Sequence, residues 1–221
     1  MIRALIFDFD GLILDTEGAI FQAWQEVYHE HGQELPLELW TRIIGTHSDW
    51  DPVAELELKL ARPLDRDAVR VAKRAREKEL IEVLPLLPGV REWHAEARQR
   101  GLKLGVASSS RGEWVLGHLR RLGLDDWDCI RCRDDVRNPK PEPDVYQAVL
   151  ECLGVDAGDA VAIEDSSHGV AAAKRAGLYC IAVPCSMTAG LDLSQADLCL
   201  RSLDEMTLEE FLRKAPGGAA R

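Results

Sequence analysis

Asp8 and Asp10 close the apolar run IFDFDG, and Gly11 follows at once. Side chains at i and i+2 of an extended chain share one side, so the two carboxylates can point the same way. Burying an unpaired carboxylate is costly, so such a pair needs partners, a metal or a task. Other polar groups stand where further apolar runs end. Ser108, Ser109 and Ser110 follow LKLGVA, Glu164 and Asp165 follow AVAI, and Lys140 lies between two prolines in NPKPEPD. On one edge of a fold these make four carboxylates, hydroxyls and one cation. A divalent cation would balance that set. Carboxylate oxygens without His or Cys favour Mg²⁺ over zinc or copper.

The elements that must position these groups read as an α/β pattern. Five apolar runs, at 4–9, 102–108, 128–132, 160–165 and 180–184, read as strands buried on both faces. Helical spacing lies between the later ones, with Val115, Leu119 and Leu122 on one face and Val145, Val149 and Leu153 on another. Alternation of this kind predicts a doubly wound parallel sheet in three layers. Ligands bind such sheets beyond the carboxyl ends of the strands, where Asp8, Ser108 and Glu164 fall. Residues 17–84 contain no convincing strand and read as three or four helices, with Ile20, Trp24 and Val27 on one stripe. Pro85 and Pro88 punctuate the return. The expected division is a core of residues 1–16 and 85–214, an inserted helical domain of 17–84, and a flexible tail of 215–221.

Composition narrows the partners. The chain has 221 residues with 27 Lys plus Arg against 38 Asp plus Glu, a net charge of −11. That acidity argues against a nucleic-acid partner. No apolar run is long enough to span a membrane. The chain opens on a strand-like run rather than a leader segment, which reads as cytoplasmic. Six cysteines sit within apolar runs and are expected to be reduced. CIRC at 129–132 has metal-ligand spacing, but nothing completes a zinc set.

The blocks DFDG, VASS, NPKPEPD and AIEDS, in this order, resemble the four motifs of the haloacid dehalogenase superfamily. The helical insertion after the first block resembles the α-helical cap of the β-phosphoglucomutase-like subfamily. The resemblance implies a Rossmann-like core and a Mg²⁺-dependent phosphatase that works through an aspartyl phosphate. In that scheme Asp8 is the nucleophile and Asp10 the general acid and base. Gly11 turns the chain after the pair. Ser108 and the Ser109 N–H hold phosphoryl oxygens, and Lys140 neutralises charge. Asp8, the Asp10 carbonyl, Glu164 and Asp165 hold the metal. The expected partner is a small phosphate ester, a sugar phosphate or similar metabolite, and the expected assembly a monomer or weak homodimer.

Rival readings stand beside this one. A mutase of the same subfamily carries a His where this chain has Ile20, and an Arg in the cap loop that here reads THSD. His47 and Ser48 in that loop are candidate substrate contacts. A non-catalytic ligand-sensing relative is a further alternative. Asp15 and Thr16 are expected to cap and hinge the first helix of the insertion. His168 is expected to open a helix rather than bind metal. The basic run KRAREK at 73–78 reads as a solvated helix face, with neither Lys59 nor Lys73 marked as desolvated.

Overall fold

The computed structural model describes residues 1–41, 44 and 50–215. The strands are β1 (Ala4–Phe7), β2 (Lys103–Ala107), β3 (Cys129–Arg131), β4 (Ala160–Glu164), β5 (Tyr179–Ala182) and β6 (Leu198–Cys199). They form one sheet in the order β3-β2-β1-β4-β5-β6, with every pairing parallel. The two-residue β6 is too short to leave a pattern in the sequence. Phe7 ends β1 opposite Val106 of β2 and Ile163 of β4. Strand order reverses between β1 and β4, the position where doubly wound sheets open a crevice.

Alternation along β1 divides the core. Leu5 and Phe7 pack with Trp93 of α5 (Val90–Gln99), Leu119 of α6 (Gly112–Arg121) and Phe211 of α9 (Leu208–Lys214). Ala4 and Ile6 pack on the other face with Val149 of α7 (Asp144–Leu153) and Ala172 of α8 (Ser167–Arg175). Both faces of the central strand are therefore dry, which is why its sequence is continuously apolar. β3 lies against α7, and this juxtaposition corrects one expectation: Cys129 and Cys152 form a disulfide. Cys132, Cys180, Cys185 and Cys199 are free thiols.

The inserted helices are α1 (Thr16–Glu30), α2 (Leu37–Thr41), α3 (Pro52–Leu60) and α4 (Arg66–Glu82). They have a core of their own that includes Phe21, Trp24, Tyr28, Trp40, Val53 and Leu56. Aspartates start three of these helices. Asp15 accepts from the N–H of Gly18, Asp51 from Val53 and Asp65 from Ala68, each satisfying an amide that the helix leaves unpaired. Arg76 of α4 grips Glu26 of α1 through Nε at 2.7 Å and Nη2 at 3.2 Å.

The run 73–78 is not wholly solvated. Lys73 is buried, pairs with Glu77, and places its ammonium 5.2 Å from the Trp24 ring centre. Its stem and head find an aromatic face and a carboxylate four residues on, a contact that charge patterning alone cannot reveal. Where the chain leaves and rejoins the sheet, the N–H of Leu87 donates to the carbonyl of Ile13 at 3.0 Å. The two crossings therefore lie side by side. His47, Ser48 and residues 216–221 lie outside the described residues.

Candidate active site

The β1–β4 junction brings three carboxylates together. Asp8, Glu164 and Asp165 are buried, and one ligand atom of each lies within 4.8 Å of the others. Lys140 is drawn into the same space from the loop before α7. Its Nζ lies 2.6 Å from Asp8 Oδ1, 2.6 Å from Glu164 Oε1 and 2.9 Å from the Ala107 carbonyl. Tyr146 OH donates to Glu164 Oε1 at 2.5 Å. Its ring faces the Lys140 ammonium at 5.1 Å.

The electrostatics follow from burial. Loss of solvation, then the neighbouring Glu164, push Asp8 up to about 8, while Lys140 opposes the shift. Asp165 is pushed well above the carboxylate range, first by burial and then by Asp8 and Glu164. Burial works against the charge on Lys140, but Asp8 and Glu164 prevail and hold its amine above the usual range. With all three carboxylates ionised, one buried ammonium leaves an excess of negative charge, which is why burial drives Asp8 and Asp165 toward holding protons. A hard divalent cation fits this oxygen donor set.

Two glycines make room for the carboxylates. Gly11 has φ +82°, and a Cβ there would sit 2.1 Å from Asp165 Oδ2. A Cβ on Gly169 would sit 1.9 Å from Glu164 Oε2. Both glycines are thus fixed by the carboxylates they face.

Asp10 faces away from that cluster into a cavity of about 700 Å³. Its Oδ1 accepts from Thr16 Oγ1 at 2.7 Å and from Trp114 Nε1 at 3.0 Å. Its Oδ2 accepts from Ser110 Oγ at 2.6 Å and Ser108 Oγ at 3.4 Å. Ser108 also accepts from the N–H of Ser110 at 3.0 Å, a turn that holds the serine loop below the cavity. Ser109, Ile20 and the guanidinium-bearing Arg111 and Arg133 line the cavity as well.

The sequence-derived residues Asp8, Lys140, Glu164 and Asp165 thus share one buried group, and Gly11 abuts it. Asp10, Ser108 and Ser109 meet at the adjoining cavity. His168 lies within α8, where Ser166 is the N-cap; its Nδ1 is 3.1 Å from the Ile44 carbonyl, linking core and inserted helices. Asp15 caps α1 as expected, but Thr16 also reaches Asp10.

Several site residues carry no signal in the sequence reading. Trp114 and Tyr146 look like core residues of amphipathic helices until the helices are packed. Thr188, fully buried after β5, directs Oγ1 to Asp165 Oδ2 at 3.4 Å. Glu17 lines the cavity and is pushed up to about 8, first by lost solvation and then by Asp10, Asp8 and Asp15. Its place in the first turn of α1, directly after DT, is the one clue the sequence offered.

Comparison with known proteins agrees with the geometry. The profile of the family "Haloacid dehalogenase-like hydrolase" matches residues 5–183. The protein YhcW of Bacillus subtilis (strain 168) is 43% identical over 213 residues, covering 96% of this chain and 97% of the relative. The phosphorylated carbohydrates phosphatase of Thermotoga maritima is 35% identical over 178 residues, 80% of this chain and 82% of that one. Among solved structures, CbbY from Rhodobacter sphaeroides in complex with phosphate superposes with a TM-score of 0.71 at 31% identity, covering 93% of this chain and 96% of that one.

Proposed function

The chain belongs to the haloacid dehalogenase-like hydrolases, close to the β-phosphoglucomutase and CbbY proteins, and from that premise we propose that it is a Mg²⁺-dependent phosphatase of small phosphorylated metabolites, sugar phosphates foremost. The observation that carries this reading is the pairing of a buried Asp8–Lys140–Glu164–Asp165 group with an Asp10 carboxyl turned into the adjoining cavity.

In the first step an oxygen of Asp8 attacks phosphorus. The bond to the sugar oxygen breaks, and Asp10 delivers a proton to that oxygen. Lys140 occupies Oδ1 of Asp8, so Oδ2 is the oxygen proposed to attack. In the second step Asp10 takes a proton from water. The water oxygen bonds to phosphorus, and the aspartyl phosphate is cleaved to restore Asp8. Ser108 Oγ and the Ser109 N–H hold the equatorial oxygens, and Lys140 holds Asp8 in place with a charge of opposite sign. Asp8, Glu164, Asp165 and the Asp10 carbonyl are the proposed Mg²⁺ ligands. When bound, the ion offsets charge on Asp8 and on the transferring group.

The cavity suits a polyol leaving group. Glu17 offers an acceptor, and Arg111 and Arg133 offer donors to hydroxyls or to a second anionic group. Carbohydrate phosphates are also what the Thermotoga maritima relative is named for. Ile20 presents an apolar side chain at the same wall, where a mutase of the subfamily carries a His. Hydrolysis is the simpler outcome.

The test is phosphate release from a panel of sugar phosphates, with Mg²⁺ and with EDTA, for wild type and Asp8→Asn. Conversion of β-glucose 1-phosphate to glucose 6-phosphate is followed in parallel. Mg²⁺-dependent release that Asp8→Asn abolishes is the expected result. Isomerisation with little phosphate release would make the protein a mutase instead.

A further inference from the structure

Four donors surround the Asp10 carboxyl, and one of them differs in kind. Hydroxyls can donate or accept, whereas an indole N–H only donates. The Trp114 N–H meets Oδ1 at 3.0 Å, while Oδ2 meets the hydroxyls of Ser110 and Ser108. Oδ1 is therefore tied to the rigid indole N–H as well as to the Thr16 hydroxyl, and Oδ2 is left on the side of the serine loop. The geometry points to Trp114 as a positioning residue that holds the Asp10 carboxyl with Oδ2 turned to the serine loop.

The indole is well held for that purpose. It lies edge-on to the His118 ring at 4.4 Å between centres, and His118 stacks on Phe9 at 6.3 Å. Phe9 is the residue between Asp8 and Asp10, so the tryptophan is registered against the same short segment it orients. Oδ2 lies on the side of Ser108, the hydroxyl proposed to hold the phosphoryl group. Held in this way, Asp10 presents Oδ2 toward the leaving oxygen, with Oδ1 tied to the indole and to Thr16. The inference rests on the phosphatase reading and adds to it a residue outside the four sequence blocks.

Trp114→Phe keeps a ring and loses the N–H. Single-turnover phosphorylation of Asp8 is compared for two esters. One is p-nitrophenyl phosphate, whose phenolate leaves without a proton; the other is the best sugar phosphate of the panel, whose alkoxide needs one. With the sugar phosphate the step should slow by about tenfold or more, and with the aryl ester by less than about twofold. Burst amplitude counts competent molecules, so a misfolded fraction does not enter the rate constant. In an Asp10→Ala background, Trp114→Phe should change neither rate.

Equal slowing with both esters, or slowing with neither, overturns the role assigned to Trp114. Should Trp114→Phe not fold, the wild-type indole resonance of Trp114 decides. It should shift on Asp10→Ala more than the other indole signals do, and an unmoved signal overturns the assignment. Wild type that releases phosphate from neither ester overturns the phosphatase reading, and this inference with it.

Discussion

Lys140 is the residue on which the buried site balances. It is 2% exposed and bonded to two carboxylates, so removing it strands both in a dry environment. Breaking a buried ion pair from one side costs about 3–5 kcal/mol. Lys140→Met should therefore lose about that much stability in urea titrations run with EDTA, and lose less of it with Mg²⁺ present. Glu17 gives the pH test. Its folded pKa of about 8 lies above its unfolded value of 4.5. The folded state therefore holds a proton that the unfolded state has shed between those limits. Its contribution to stability falls as pH rises through that window. Glu17→Gln should flatten the decline, measured as the difference between denaturation midpoints at pH 5 and pH 8.

At the level of elements, the site depends on how closely α8 can approach the end of β4. Gly169 stands in the first turn of that helix, where any side chain would collide with Glu164. Gly169→Ala should cost about 1–3 kcal/mol through overpacking, read from urea midpoints. It should also weaken Mg²⁺ binding, read by titration calorimetry, because the carboxylate must move. Five of the six strands, the helical insertion and the three polar strand ends were legible in the sequence because each rests on local pattern: continuous apolar runs, helical spacing, and polar residues abruptly ending the runs. Trp114, Tyr146 and Thr188 were not legible. Each reaches the site across a distance in sequence that only packing closes, and each resembles an ordinary core residue in its own helix or loop. Two of the six cysteines, Cys129 and Cys152, misled for the same reason. Nothing local tells Cys129 from Cys132, yet only the former faces α7.

For the molecule as a whole, that disulfide ties an edge strand to the helix that follows the Lys140 loop. The paired residues are 23 apart in sequence. Closing a loop of that size in the unfolded chain is worth about 3 kcal/mol in the chain-entropy account. Cys152→Ser, or wild type with dithiothreitol, should show a midpoint lowered by about that amount, with thiol alkylation reporting the state of the pair. The sheet itself has its longest strands inside and its shortest outside. β3 has three residues and β6 has two. A strand needs a partner of comparable length to dock edge to edge, and neither rim supplies one. The molecule thus offers a passing chain almost no template to copy, which favours separate particles in a crowded solution over growth into sheets.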